Sequence, residues 1–191
     1  MKTLLDFKDF VKIVSPVETY KKCPISLIKD YTDIIPESLL NSWEKHGFQK
    51  FGNGFIWTTD PDSYRYLTKL FIPQFNSSEV NVLFRTSFSD FIFLYKEEFY
   101  HYSVVTSLLL KMKQSFDSII NINFSSKDSL NDGYFFNIHK WCVKKLGIIS
   151  IDEIYAYVPA LQFGGEMVRE NLQKQNMKSY LTMVADLGNE E

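Results

Sequence analysis

The chain has 191 residues, 45% of them hydrophobic and 23% charged, which is enough for one large globular domain or two small ones. Its formal net charge is −2 and no basic stripe is present, so the pattern favours neither a nucleic-acid-binding protein nor a strongly acidic DNA mimic. Aromatic residues make up 16% of the chain, which predicts a phenylalanine-rich core with some aromatic anchors left for a partner surface.

The first apolar segment does not have the composition of a signal peptide or a membrane span. Charged residues interrupt it at Asp6, Lys8 and Lys12, and no small-residue cleavage site follows. We therefore expect a cytoplasmic protein that does not contact a membrane. Cys23 and Cys142 share no motif, and both are expected to be free thiols. The oligomeric state is left open.

Residues 1–75 are predicted to form a mainly helical part. Apolar residues recur at helical spacing from residue 4 to residue 14, and Pro16 then ends that helix. Asn53-Gly54 lies between two short aromatic segments and predicts a tight hairpin. Asp60 and Pro61 have the residue types of a helix N-cap and first turn. The helices predicted after the first one span residues 25–31, 36–46 and 61–71.

Residues 76–191 are predicted to be richer in strands, with the two parts forming either separate units or one continuous one. Segments 80–86, 90–95 and 100–106 are rich in β-branched and aromatic residues, and hairpin-sized gaps separate them. Within 90–95, apolar side chains fall on both faces, so helices should cover both sides of the strand. The predicted fold class is α+β, with an antiparallel meander of about three to five strands packed against several helices.

The remaining segments predict two further helices and a strand. Residues 133–146 have a helical apolar face that ends before Gly147, and residues 153–158 form a strand on which Tyr155 and Tyr157 share one face. Met177, Leu181 and others mark a final amphipathic helix.

No motif for catalysis or metal binding is present. The three histidines, His46, His101 and His139, belong to different elements and share no ligand spacing. Neither a nucleophile elbow nor a phosphate-binding loop occurs. Glu166 and Glu170 have the spacing of a carboxylate pair, but such pairs more often face solvent on a helix. We therefore expect no enzymatic activity, no metal and no cofactor.

Two segments resemble known families. Residues 24–67 resemble the GAD-like domain of bacterial proteins, and residues 152–188 are similar to the C-terminal domain of type VI secretion immunity proteins of the Tdi type. Gln162 and Phe163 depart from the second family, which often has alanine and leucine there. The matching residues that we expect to be structural are Trp43, Gly47, Gly54, Pro61, Tyr155, Tyr157, Pro159, Gly164 and Gly165.

The resemblance implies an immunity protein that binds a cognate secreted antibacterial toxin, a DNA-degrading one, and blocks it stoichiometrically without chemistry. A nuclease is basic along its DNA path, so its inhibitor should present an acidic rim around aromatic anchors. An alternative is a regulatory module that binds a small molecule or nucleotide, to which the GAD-like part and the glycine pair point. The candidate toxin-binding residues are Trp57, Asp60, Asp62, Glu97, Glu98, Glu166 and Glu170.

Overall fold

A large antiparallel sheet organises the fold. In the computed structural model, which describes residues 1–188, seven strands of this sheet lie side by side in chain order. Each strand therefore pairs with the strand before it and the strand after it in the sequence. The strands are β1 (Val17–Lys21), β2 (Phe48–Phe51), β3 (Ile56–Thr58), β4 (Asn81–Thr86), β5 (Phe91–Tyr95), β6 (Glu98–Ser103) and β7 (Leu108–Met112).

The predicted α+β class and meander are confirmed, but the predicted number of strands is wrong. The sequence pattern missed β1 and β7, the two edges of the sheet. An edge strand pairs on one side only and keeps much of its surface in solvent, so it needs no regular apolar alternation. β1, β2 and β3 all lie before residue 75, so the prediction of a mainly helical N-terminal part is also wrong. The sheet continues past that position through the pairing of Trp57 with Arg85.

Helices cover both faces of the sheet, as the residues of β5 predict. Ile92 and Leu94 join a core cluster with the helices near the N-terminus, whereas Phe91 and Phe93 join a second cluster on the opposite face. The helices are α1 (Lys8–Ile13), α2 (Ile25–Asp30), α3 (Glu37–His46), α4 (Pro61–Phe71), α5 (Phe116–Ser118), α6 (Lys127–Tyr134), α7 (Phe136–Leu146) and α8 (Met177–Gly188).

The single helix expected over residues 133–146 is two helices. Phe135 has a left-handed backbone, with φ 60°, and it separates α6 from α7. Its ring packs edge-on against Phe88, at 5.8 Å between centroids. The helical spacing of apolar residues continues across the break, so the pattern alone did not reveal it.

A small second sheet carries the C-terminal part. Its strands are β8 (Glu153–Tyr157) and β9 (Leu172–Asn176), paired antiparallel. Ile154 and Ala156 face the second core cluster, while Tyr155 and Tyr157 face a third cluster that contains Trp57 and Cys142. The sequence does not predict β9, because its residues, LQKQN, are mostly polar and lack strand alternation.

Ser87, in the turn between β4 and β5, joins three segments. Its backbone N–H donates to Phe55 O at 2.9 Å, and its carbonyl accepts from Tyr155 N–H at 2.9 Å. Its hydroxyl lies 3.0 Å from Nδ1 of His139, whose Nε2 lies 2.8 Å from Gly52 O. Because a carbonyl only accepts, Nε2 carries the proton and Nδ1 accepts from Ser87. Burial lowers the pKa of His139 to about 4, so this buried ring is a neutral structural link.

Asp90 is a buried carboxyl group at the start of β5. Its Oδ1 accepts from Ser103 Oγ at 3.1 Å and from Val104 N–H at 2.8 Å, which ties β5 to the turn after β6. Its Oδ2 has no hydrogen-bond partner among residues 1–188. Burial raises the pKa of Asp90 to about 7, because desolvation disfavours the charged form.

Replacing Asp90 with asparagine should change how stability depends on pH. Between pH ~4 and pH ~7 the folded protein keeps a proton that the unfolded chain loses, so Asp90 lowers the stability of the wild type as pH rises. The free energy of unfolding of Asp90→Asn relative to wild type should therefore increase by on the order of 3 kcal/mol across that interval. Urea unfolding at several pH values measures this difference.

The matched control for this series is Asp132→Asn, which neutralises an exposed carboxylate. Its stability difference from wild type should stay within about 0.5 kcal/mol at every pH. His101 and His139 titrate alike in all three proteins and cancel in the comparison. A constant difference between Asp90→Asn and wild type would contradict the raised pKa.

Candidate functional site

An acidic cleft of about 690 Å³ lies between the end of α2, the start of α4 and the hairpin of β5 and β6. Among the described residues that line it, five are acidic and two are basic. The acidic residues are Asp30, Asp33, Asp62, Glu79 and Glu97, and the basic ones are Arg65 and Lys96. We call this surface the acidic cleft.

The acidic cleft also offers an apolar contact. Of its apolar lining residues, Tyr31 and Leu94 are buried, whereas the side chain of Ile34 is 48% exposed. An exposed large apolar side chain together with several charged residues has the composition of a small interface patch. The acidic cleft therefore combines charge with a hydrophobic anchor.

A hydrogen-bonded group of three side chains fixes one wall of the acidic cleft. The Tyr31 hydroxyl donates to Asp62 Oδ1 at 3.0 Å and accepts from Arg65 at 3.3 Å, and Arg65 pairs with Asp62 at 2.8 Å. Burial and then the hydrogen bond to Asp62 raise the pKa of Tyr31 to about 12, so the phenol stays a donor at neutral pH. This wall is pre-organised before any partner arrives.

Three of the acidic side chains carry charge without a nearby cation. Asp62 pairs with Arg65, and Glu79 lies 3.8 Å from Lys96. Asp30, Asp33 and Glu97 form no ion pair within residues 1–188, and all three are exposed. Their charge is therefore available to a basic partner.

The tip of the β5–β6 hairpin holds Glu97 in a costly backbone conformation. Tyr95 pairs with Glu98, so Lys96 and Glu97 form a two-residue turn, and both have positive φ, 47° and 65°. This is the geometry for which Asn-Gly is preferred, and a side chain there costs about 1–2 kcal/mol. The chain thus places a charged residue where glycine would fold better.

Replacing Glu97 with glycine should stabilise the protein. The free energy of unfolding should rise by a net amount of about 1 kcal/mol, because relief of the left-handed strain outweighs the backbone entropy that glycine loses on folding. Urea unfolding measures the gain. The neighbouring variant Glu98→Gly is the control: Glu98 lies in β6 and pairs with Lys111 at 2.6 Å, so this variant should lose stability. A loss in Glu97→Gly would contradict the strained turn.

The structure brings some of the predicted toxin-binding residues together. Asp62 and Glu97 both line the acidic cleft, and Glu98 follows Glu97 directly. Asp60 lies elsewhere: it accepts from Asp62 N–H at 3.1 Å as the N-cap of α4 and pairs with Lys21 at 3.2 Å.

The other predicted toxin-binding residues lie outside the acidic cleft. Glu166 and Glu170 are exposed in the connection between β8 and β9 and do not line it. Trp57 is 1% exposed, and its indole donates to Gly54 O at 2.8 Å. A role for Trp57 as a surface anchor is wrong, because a partner cannot reach a ring enclosed by the core.

The candidate list from the sequence did not include Asp30, Asp33, Ile34 or Glu79 of the acidic cleft. Asp30 ends α2, and Asp33 and Ile34 lie in the turn that follows it; the two acids close together before Pro36 were the available signal, whereas the exposure of Ile34 could not be read from the sequence. Glu79 carried no signal, because it reaches the acidic cleft only through the path of the chain between α4 and β4.

The structural residues of the GAD-like motif pack within the fold or form its turns, and they do not line the acidic cleft. Trp43 is 1% exposed and packs on Phe48 at 5.2 Å, and Pro61 begins α4. Gly47 has φ 71°, and a Cβ there would lie 2.5 Å from Lys21 O, so α3 can end against β1 only with glycine. Gly54 supplies the carbonyl that accepts from the Trp57 indole.

The motif residues of the second family build the turn after β8. The Tyr155 hydroxyl donates to Gly147 O at 2.7 Å, and Tyr157 is 4% exposed. Pro159 and Gly164 lie in the following loop. A Cβ on Gly165 would lie 2.0 Å from Pro159 O, so only glycine lets the loop fold back this closely.

Comparison with protein families finds two matches in series. Residues 6–109, more than half of the chain, match the GAD-like domain. The chain belongs to the GAD-like domain family. Residues 121–188 match the C-terminal domain of the type VI secretion immunity protein Tdi1. This order confirms the resemblance found in the sequence, and the second match supports an immunity role for this GAD-like protein and points away from catalysis.

A solved structure shares the fold of the GAD-like protein. The crystal structure of Atu4351 from Agrobacterium tumefaciens superposes with a TM-score of 0.77 at 17% identity, covering 95% of this chain and 89% of that one. A search among curated proteins gave no significant match. Within residues 1–188, no helix has the length and apolarity to cross a membrane, and no group of three His, Cys, Asp or Glu side chains could hold a metal ion.

Proposed function

We propose that the GAD-like protein is an immunity protein that binds a cognate toxin of type VI secretion and neutralises it by stoichiometric occlusion. The observation that carries this proposal is the match of residues 121–188 to the immunity protein Tdi1, directly after a GAD-like domain. The toxin is a DNA-degrading enzyme, and the protein meets it in the cytoplasm, where bacterial DNA lies. The GAD-like protein itself binds neither DNA nor a membrane.

The acidic cleft is the surface on which we place the toxin. A DNase must neutralise phosphates along its DNA path, so that path carries Lys and Arg side chains. Asp30, Asp33 and Glu97 offer carboxylates without a competing ion pair in the described chain, and Ile34 offers an exposed apolar contact in the same cleft. A toxin held by these contacts would have its DNA path covered.

The form of the acidic cleft favours a tight complex. Hydrogen bonds hold the Tyr31–Asp62–Arg65 group before binding, and the β5–β6 turn fixes the backbone of Glu97, so less conformational entropy is lost on association. Charge complementarity speeds association as well, because opposite fields steer the partners together. A fast, long-lived complex suits a protein that must intercept a lethal enzyme.

Co-expression with the toxin encoded beside this gene tests the proposal. Growth should be rescued, and a catalytically inactive toxin should co-elute with the GAD-like protein in a fixed stoichiometry. DNA added to the complex should compete with the GAD-like protein if occlusion is the mechanism. Failure to form a complex with any toxin encoded nearby would overturn the proposal, and a complex that still cleaves DNA would overturn occlusion.

A further inference from the structure

The outer side of β7, the last strand of the large sheet, has no partner. Within residues 1–188, β7 pairs only with β6, and no hydrogen bond from outside this pairing reaches its backbone. All five of its residues are exposed or half-exposed. The backbone N–H and C=O groups on its outer side are therefore open to pairing with a further strand. We call this side of the strand the β7 edge.

The two edges of the large sheet differ in how well they are protected. At β1, Glu18 and Lys21 are exposed charges, the register shifts within the strand, and Pro16 directly precedes it. Charges, bulges and prolines are the devices by which proteins keep a sheet edge from pairing. β7 contains no proline and pairs with β6 through five successive residue pairs without a shift. Its residues Leu108 and Leu110 are 50% and 49% exposed, so the β7 edge is regular and apolar.

The apolar side chains along β7 share one face of the sheet. Leu108, Leu110 and Met112 alternate along the strand, and Met112 packs against the core cluster that contains the N-terminal helices. Lys111 is the one charged residue of β7 and lies on the opposite face, where its ammonium group pairs with Glu98 at 2.6 Å. A strand added at the β7 edge would therefore meet a row of apolar side chains on one face and a compensated charge on the other.

This apolar row is complementary to itself under a two-fold axis. When a second β7 runs antiparallel with Leu110 opposite its own copy, Leu108 lies opposite Met112, and Leu109 lies opposite Lys111. All five residues then have a partner, and the apolar row contacts only apolar side chains. A pairing centred on Lys111 would set two like charges opposite each other, and one centred on Leu109 would leave Met112 without a partner in β7. The sequence of β7 therefore favours a single self-complementary register.

A cleft of about 680 Å³ lies beside the apolar row, between β7 and α6. Leu110 and Met112 line it from β7, and Tyr134 lines it from α6. A two-fold axis perpendicular to the sheet keeps the apolar rows of both copies on the face where this cleft opens. Lys113 and Asp128 also line the cleft, and neither forms an ion pair within residues 1–188. Each copy therefore offers the other one charge of either sign.

We propose that two copies of this chain associate through their β7 edges, antiparallel and with Leu110 opposite Leu110, so that the two large sheets become continuous. The contact is short and lies at the low end of specific interfaces, so self-association should be reversible, with a dissociation constant in the micromolar range. No residue of β7 lines the acidic cleft, so this pairing uses none of the proposed toxin surface. The inference does not depend on the immunity function.

Sedimentation velocity of the full chain at increasing concentration tests the pairing. Wild type should shift from the mass of one chain to the mass of two through the micromolar range. Leu110→Lys sets like charges opposite each other at the axis and should weaken self-association by about tenfold or more, whereas the fold should persist because this side chain is exposed. Ile148→Lys makes the same change at a side chain that is 47% exposed outside the β7 edge, and it should associate like wild type. A wild type that stays monomeric at millimolar concentration, or a Leu110→Lys variant that associates like wild type, would overturn the proposal.

A mixture of two variants tests the register. Leu110→Glu should weaken self-association as Leu110→Lys does, and circular dichroism should show the wild-type fold in both. Mixed in equal amounts, the two variants should form a mixed dimer, because residue 110 of one copy lies opposite residue 110 of the other. A mixture that stays monomeric would overturn the pairing centred on Leu110. Toxin capture by Leu110→Lys should match wild type; lost capture with unchanged self-association would assign the β7 edge to the toxin and overturn the dimer.

Discussion

Replacing Tyr157 with alanine is expected to destabilise the protein by about 3–5 kcal/mol, enough to unfold much of it. The side chain is 4% exposed and packs in the third core cluster with Trp57, Cys142 and Leu172. The alanine variant would leave a cavity where β8 meets the large sheet. Urea unfolding and circular dichroism measure the loss.

The control for this variant is Tyr157→Phe. The Tyr157 hydroxyl makes no hydrogen bond within residues 1–188, and the backbone carbonyl that accepts from the Tyr180 hydroxyl at 2.9 Å is unaffected. Phenylalanine keeps the ring and should stay within about 1 kcal/mol of wild type. A folded Tyr157→Ala that loses only toxin binding would contradict the structural role and place β8 at the interface.

Reversing two charges in the acidic cleft, with Asp33→Lys and Glu97→Lys together, should weaken toxin binding about 100-fold or more. Both side chains are exposed and neither makes an ion pair in the described chain, so the stability of the fold should barely change. Much of the loss should appear in the association rate and should shrink as salt is added, because screening weakens interactions between exposed charges. Surface plasmon resonance with an inactive toxin at several ionic strengths measures both effects.

The matched control is the double variant Glu166→Lys and Glu170→Lys. It changes the net charge by the same amount but lies in the β8–β9 connection, outside the acidic cleft. Its affinity should fall by less than about tenfold, from the long-range field alone. An equal loss in both double variants would mean that net charge, not the acidic cleft, attracts the toxin. A larger loss in the control would move the interface to that connection.

The sequence by itself determined the elements whose signals are local. β4, β5 and β6 are apolar enough to be predicted from their own residues, and the two apolar faces of β5 predicted a sheet covered on both sides. Asp60-Pro61 marked the start of α4, because a cap and a first-turn proline act within a few residues. The two family motifs were readable for the same reason, since each lies within one stretch of chain.

Only the tertiary structure determines which residues are buried and which charged residues lie close together. β1 and β9 are polar strands whose conformation comes from pairing with β2 and β8, so their own residues could not reveal it. Composition did not separate the enclosed ring of Trp57 from the exposed side chain of Ile34, because burial depends on neighbours that are distant in sequence. The acidic cleft joins Asp33, Glu79 and Glu97 from three separate segments, and their shared field exists only once the sheet and helices have assembled.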